Sequence, residues 1–74
     1  MAVEVRLFAT FREKRFSEKE MDVAEETSLQ DLIANLKIPA EQIGILLVNG
    51  QSSSPEHKLA AKDVVSIFPA IGGG

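Results

Sequence analysis

Residues 27–36, TSLQDLIANL, decide the fold, because here the spacing of apolar residues changes. Leu29, Leu32, Ile33 and Leu36 stand at i, i+3, i+4 and i+7, which is one stripe of an amphipathic helix. Thr27 with Gln30 three residues on fits a capping box, and Asp31 suits the positive end of the helix dipole. Pro39 biases Ile38 away from helical geometry and ends the element. Upstream the period is two: Val3, Val5, Leu7, Ala9 and Phe11 occupy odd positions, while Glu4, Arg6 and Thr10 occupy even ones. That alternation predicts a strand over residues 2–11 with one buried face. After REKR at residues 12–15 comes FSEKEMDV, in which Met21 and Val23 alternate with acids. A second strand is expected there, returning antiparallel through a tight turn.

Downstream of the helix, ILLVNG at residues 45–50 is a near-continuous apolar run ending in Asn49 and Gly50, a buried strand leading into a turn. QSSSPEHK reads as a loop with room for a short strand, and Leu59 returns the chain to the core. DVVSIF is the last strand, closed by Pro69. A hairpin, a crossover helix and further strands suit an α+β domain, a mixed sheet with one main helix packed on one face. We divide the chain into this domain at residues 1–69 and a flexible glycine tail at residues 70–74.

Seventy-four residues make one small domain, which buries only about 60% of the surface its unfolded chain exposes, so a full-sized enzyme pocket is not expected. Cysteine is absent, which excludes disulfides, a thiolate nucleophile and cysteine-rich metal sites. Eight basic and eleven acidic residues leave a net charge of −3, and neither Trp nor Tyr is present for base stacking. Nucleic acid is therefore not an expected partner. No basic leader followed by an apolar run and no membrane-length segment is seen, so the expectation is a soluble cytoplasmic protein with no membrane partner. His57 is the single histidine and lies in a polar loop without a second ligand or a nucleophile, so no metal site is expected. Glu25, Glu26, Arg6, Arg12 and Arg15 read as solvated charges, the arginines being available to acids on a partner.

The chain closes on SIFPAIGGG, where the most strand-like segment runs into glycines that carry no side chain for chemistry. Either this end is idle or the terminal carboxylate is the working group. RLFATFRE at residues 6–13, LVNG at 47–50 and KDVVSIFPAIGGG at 62–74, taken together, resemble the MoaD/ThiS family of β-grasp sulfur carriers over the whole chain. Within the family the likeness is strongest to small subunits of molybdopterin synthase. This chain departs from them in having Ala70 where a second proline is usual, Lys62 where a glycine precedes the strand-leading aspartate, and three terminal glycines, an ending familiar among thiazole-synthesis carriers.

The resemblance implies a ubiquitin-like β-grasp fold and a carrier that is not an enzyme on its own. A ubiquitin-activating-type enzyme would use ATP to adenylate the carboxylate of Gly74, sulfur would replace one oxygen, and the thiocarboxylate would serve the large subunit of molybdopterin synthase. No cofactor is expected to be bound, ATP belonging to the activating enzyme. Alternatives within the same resemblance are thiamine thiazole synthesis and conjugation to lysines as a protein modifier. Gly72 and Gly73 suit a thin stem, since glycine has no Cβ to clash in a narrow passage. In a β-grasp sheet the first and last strands are neighbours, and their odd residues face the core, which leaves Phe8 and Phe68 on the outer face. With Leu46 they form an expected docking patch, continued by Pro69 and Ile71 toward the tail. A bulge in either strand would instead turn a ring inward.

Overall fold

The computed structural model describes residues 1–13 and 15–70. Among these, strands β1 (Ala2–Leu7) and β2 (Glu18–Asp22) precede helix α1 (Leu29–Asn35), and β3 (Ile43–Val48), β4 (Gln51–Ser52) and β5 (Val64–Pro69) follow it. In space the order is β2-β1-β5-β3-β4. β1 runs antiparallel to β2 and parallel to β5, while β3 is antiparallel to both β5 and β4. α1 carries the chain across one face of the sheet from β2 at one edge to β3 on the far side of β5, as strands that are not joined by a hairpin require. The expected mixed sheet with one helix on one face is what forms.

The core lies between α1 and that face. β1 buries Val3, Val5 and Leu7, β5 buries Val65 and Ile67, and α1 answers with Leu29, Leu32 and Ile33. Each such side chain contributes about 1.5–3 kcal/mol by leaving water. Leu36, the last member of the sequence stripe, caps the helix and is only partly buried against the core. Leu59 returns to the core as expected, at 5% exposure.

Two local expectations are corrected. The helix is capped by Ser28, not by Thr27 with Gln30: Ser28 Oγ accepts the Asp31 N–H at 3.2 Å, and the Asp31 carboxylate accepts the Ser28 N–H at 3.4 Å. Thr27 Oγ1 donates instead to the Ala24 carbonyl. The loop after β4 settles the start, because the carbonyls of His57 and Pro55 accept the Leu29 and Gln30 N–H groups, each at 2.9 Å. Those donors would otherwise be orphans of the first turn.

The first strand also stops at Leu7 rather than Phe11. Phe8 is still extended (φ −128°, ψ 153°), but Ala9 takes φ 53° and opens a 3₁₀ turn over Ala9–Arg12. The turn folds Phe11 under the sheet, where it is 3% exposed, and Arg12 Nε donates to the Leu7 carbonyl at 2.8 Å. An extended chain would have carried the Phe11 ring past the end of the core. No tight turn joins β1 to β2; the Leu7 N–H bonds Ser17 O across a longer connection.

Candidate functional site

The outer face of the sheet, away from α1, is built by parity. In β1 the core takes Val3, Val5 and Leu7, and Glu4, Arg6 and Phe8 point out. In β5 the core takes Val65 and Ile67, leaving Ser66 and Phe68 outside. Because Leu7 stands opposite Ile67 in the parallel ladder, the residues that follow each come together. The Phe8 and Phe68 rings stack with centroids 4.1 Å apart and planes 8° apart. Neither ring turns inward, so the expected pairing holds.

Arg12 lies over the other part of this face, its guanidinium carbon 5.3 Å from the Phe8 ring centroid. With its Nε held by Leu7 O, the side chain keeps a cation against the ring instead of wandering in solvent. Arg6 borders the patch, hydrogen-bonded to Glu4 and 3.7 Å from Glu18. Those carboxylates, Glu4 first, hold its guanidinium pKa above the ordinary value.

The third contributor is not Leu46. Leu46 stands opposite the buried Ile67 and packs against the core, while Ile45 stands opposite Phe68 on the outer face and is 51% exposed. The apolar run from Ile45 to Val48 concealed this, although Val48, buried at the turn, carries the signal: counting back by twos puts Leu46 inside and Ile45 outside. Pro69 is half-buried and stands opposite Ile43, and the Ala70 N–H donates to Gln42 O at 2.8 Å. The remaining site residues named from sequence, Ile71, Gly72, Gly73 and Gly74, lie outside the described residues.

Away from this face, Asp63 is 8% exposed and ties two loops together. Its carboxylate accepts from Asn49 Nδ2 and the Ala60 N–H, each at 2.9 Å, and His57 Nε2 lies 3.9 Å away. Burial alone would raise the Asp63 pKa, but the Ala60 N–H, the Asn49 amide and the nearby imidazole outweigh it and hold the group below the ordinary 3.8. Asn49 Oδ1 in turn accepts the Val64 N–H at 2.9 Å. This is a clasp at the start of β5, with its polar groups spent on the fold.

An open groove of about 670 Å³ runs between α1 and β3, lined mainly by apolar side chains such as Ile33, Ile38 and Leu46. Among the described residues no group of three His, Asp or Glu could hold a metal, and no helix is long and apolar enough to cross a membrane. The chemistry this arrangement supports is recognition: a flat aromatic and aliphatic face, edged by guanidinium groups, that runs to the point where the chain leaves β5.

Comparison with known proteins agrees in fold and family. The ThiS family model matches residues 5–74. A Pyrococcus furiosus chain described as a candidate molybdopterin converting factor, subunit 1, is 28% identical, with 96% of this chain and 99% of that one covered and a TM-score of 0.82. The small archaeal modifier protein 1 of Haloferax volcanii is 21% identical over 95% of this chain and 98% of its own, at a TM-score of 0.80. In the complex of subunits 1 and 2 of the molybdopterin-converting factor from Helicobacter pylori, the matching chain is 23% identical with both chains fully covered, at a TM-score of 0.69. The shared fold is the ubiquitin-like β-grasp. No curated protein sequence matches the chain.

Proposed function

We propose, because the chain belongs to the ThiS family, that it is a sulfur carrier for molybdopterin biosynthesis in the cytoplasm, acting through the carboxyl group of Gly74. The observation that carries the proposal is the continuity of the stacked Phe8 and Phe68 with Ile45 and, along β5, with Pro69 and Ala70. Such a face lets a large partner grip the domain by its apolar side and receive the glycine end in its own active site. The nearly full-length likeness to the Pyrococcus furiosus chain supports the molybdopterin branch. That the Helicobacter pylori structure is a complex with subunit 2 supports a large-subunit partner here.

The chemistry follows from the weak electrophilicity of a carboxylate. In the ubiquitin-activating-type partner, a Gly74 oxygen attacks the α-phosphorus of ATP, a new oxygen–phosphorus bond forms and pyrophosphate leaves. A sulfide-level donor then adds to the acyl carbon, AMP departs and the thiocarboxylate remains. The domain itself contributes recognition and placement, and no acid or base of its own. The thiocarboxylate sulfur would bond to the pterin precursor held by the large subunit, and water would then cleave the acyl–sulfur bond, leaving the sulfur on the pterin and returning the Gly74 carboxylate.

ATP–pyrophosphate exchange with the cognate adenylating enzyme, followed by intact-mass measurement, tests the proposal. The expected outcome is exchange that depends on this chain and a mass gain equal to sulfur replacing oxygen. Gly73→Val, or one residue added after Gly74, should abolish both, because even a displacement of about 1 Å can cost roughly a hundredfold in rate. Lysine-linked adducts of the native protein in place of the thiocarboxylate would move it to the protein modifiers. Wild-type exchange rates with the altered tails would overturn the role of the carboxyl group.

A further inference from the structure

β3 carries one more residue than β5 between successive ladder pairs, since Ile43 stands opposite Pro69 but Ile45 opposite Phe68. Gly44 is the extra residue. A bulge of this kind reverses the facing of the strand beyond it, which is why Ile43 packs against the core while Ile45, two positions on, stays outside. The bulge also brings Gly44 hard against the root of the tail. A methyl group added there would lie 2.8 Å from Ala70 Cα, 2.9 Å from Pro69 O and 3.0 Å from Ala70 N. All three are backbone atoms, so no rotamer change relieves the contact. Gly44 has no positive φ, so the demand for glycine is one of space and not of backbone conformation. Immediately before the bulge, Gln42 O accepts the Ala70 N–H at 2.8 Å. A proline at position 70 would have no N–H to donate.

From this geometry we infer that Gly44 and the Gln42 carbonyl form a backbone clamp that fixes the direction in which the chain leaves the sheet at Ala70. The clamp sets the offset between the Phe8, Phe68 and Ile45 face and whatever follows Ala70, so that gripping the one delivers the other. Gly44 is thus a positioning residue, acting through Pro69 and Ala70 and touching no reacting atom. The inference rests on the carrier reading above for its functional half; the clamp itself is a statement about the domain alone.

Two measurements on the full chain test it. Backbone amide exchange followed by NMR should find the Ala70 amide of the wild type protected by tenfold or more (about that order) over an unstructured amide, as a hydrogen-bonded amide is. In Gly44→Ala that protection should be lost while the amides of Val65 and Ile67 keep theirs. In ATP–pyrophosphate exchange, Gly44→Ala should lower kcat by about ten- to a hundredfold through misplacement of the reacting end. KM for the carrier should stay within about twofold, since the gripping face is intact. A kcat equal to wild type in a variant whose Ala70 amide has lost protection would overturn the positioning role. If the variant fails to fold, the wild-type amide carries the test, and an unprotected Ala70 amide overturns the clamp. The two readings fail separately: a wild-type chain that supports no exchange sinks the carrier proposal, and an Ala70 amide indifferent to Gly44→Ala sinks the clamp.

Discussion

Phe8 and Phe68 come from near opposite ends of the chain and lie face to face, 4.1 Å between centroids, on the side of the sheet that α1 does not cover. Such a stack contributes about 0.5–1.5 kcal/mol beyond area burial, and its outer edge remains available to a partner. Under the carrier proposal, Phe8→Ala or Phe68→Ala should weaken binding to the proposed adenylating enzyme by about 1 kcal/mol or more, as loss of a central aromatic anchor does. Ile45→Ala should do the same with its melting temperature essentially unchanged, because Ile45 is already 51% exposed. Titration calorimetry with each variant decides the matter, and normal binding by all three would remove the docking face.

Leu32 is fully buried between α1 and the sheet. Leu32→Ala should destabilise the domain by about 2–5 kcal/mol, a large share of what a small domain possesses. Urea denaturation followed by circular dichroism reads this as a fall in midpoint. A midpoint close to that of the wild type would mean the helix does not close the core.

Lys62 and Lys37 hold φ values of 70° and 60°, a region that costs a side chain with a Cβ about 1–2 kcal/mol. Lys37 follows the helix C-cap, where glycine is favoured. Lys62 occupies the place where the resembling family carries glycine. Lys62→Gly and Lys37→Gly should each stabilise by about 0.5 kcal/mol, the relief being partly offset by the greater freedom of glycine in the unfolded chain. The check is a higher denaturation midpoint at unchanged slope, and a lower midpoint for both would contradict the strain.

Asp63 makes stability depend on acid. Its folded pKa lies below the ordinary 3.8, so as pH falls the unfolded chain takes up this proton before the folded one does. The contribution is therefore complete above the ordinary value, declines as pH drops from there toward the lowered folded value, and is gone below it. In Asp63→Asn the decline between neutral pH and about 3 should be shallower than in the wild type. Parallel acid limbs for the two proteins would show that the clasp does not titrate in this way.

Legibility in the sequence followed physical rules. The alternation through Val3, Val5 and Leu7 could be read because one face of β1 is buried and the other is not. Phe8 was placed correctly because the backbone stays extended for one residue past the strand. The turn at Asn49 and Gly50 was legible because both adopt positive φ, as the hairpin between β3 and β4 requires. Ile45 and Leu46 were hard to tell apart in an unbroken apolar run, where the parity has to be counted back from Val48 at the turn, and the register with β5 assigns their faces. Thr27 and Ser28 both offer a hydroxyl, and the choice between them was made by carbonyls of a distant loop. The role of Gly44 was not legible, because a close approach between backbones leaves no mark on local sequence pattern.

Among the described residues β5 is the last strand in chain order and the middle strand in space. Until it is laid down, the β1 and β2 pair and the β3 and β4 pair have no common hydrogen-bonded neighbour, and the seam between them stands open. Closure of the sheet therefore waits on contacts between segments far apart in the chain. Because Phe68 belongs to that same strand, a copy cut short ahead of it loses the closed sheet and the stacked aromatic pair together. If the carrier proposal holds, a partner that selects for the stacked pair would in effect be sensing whether β5 is in place.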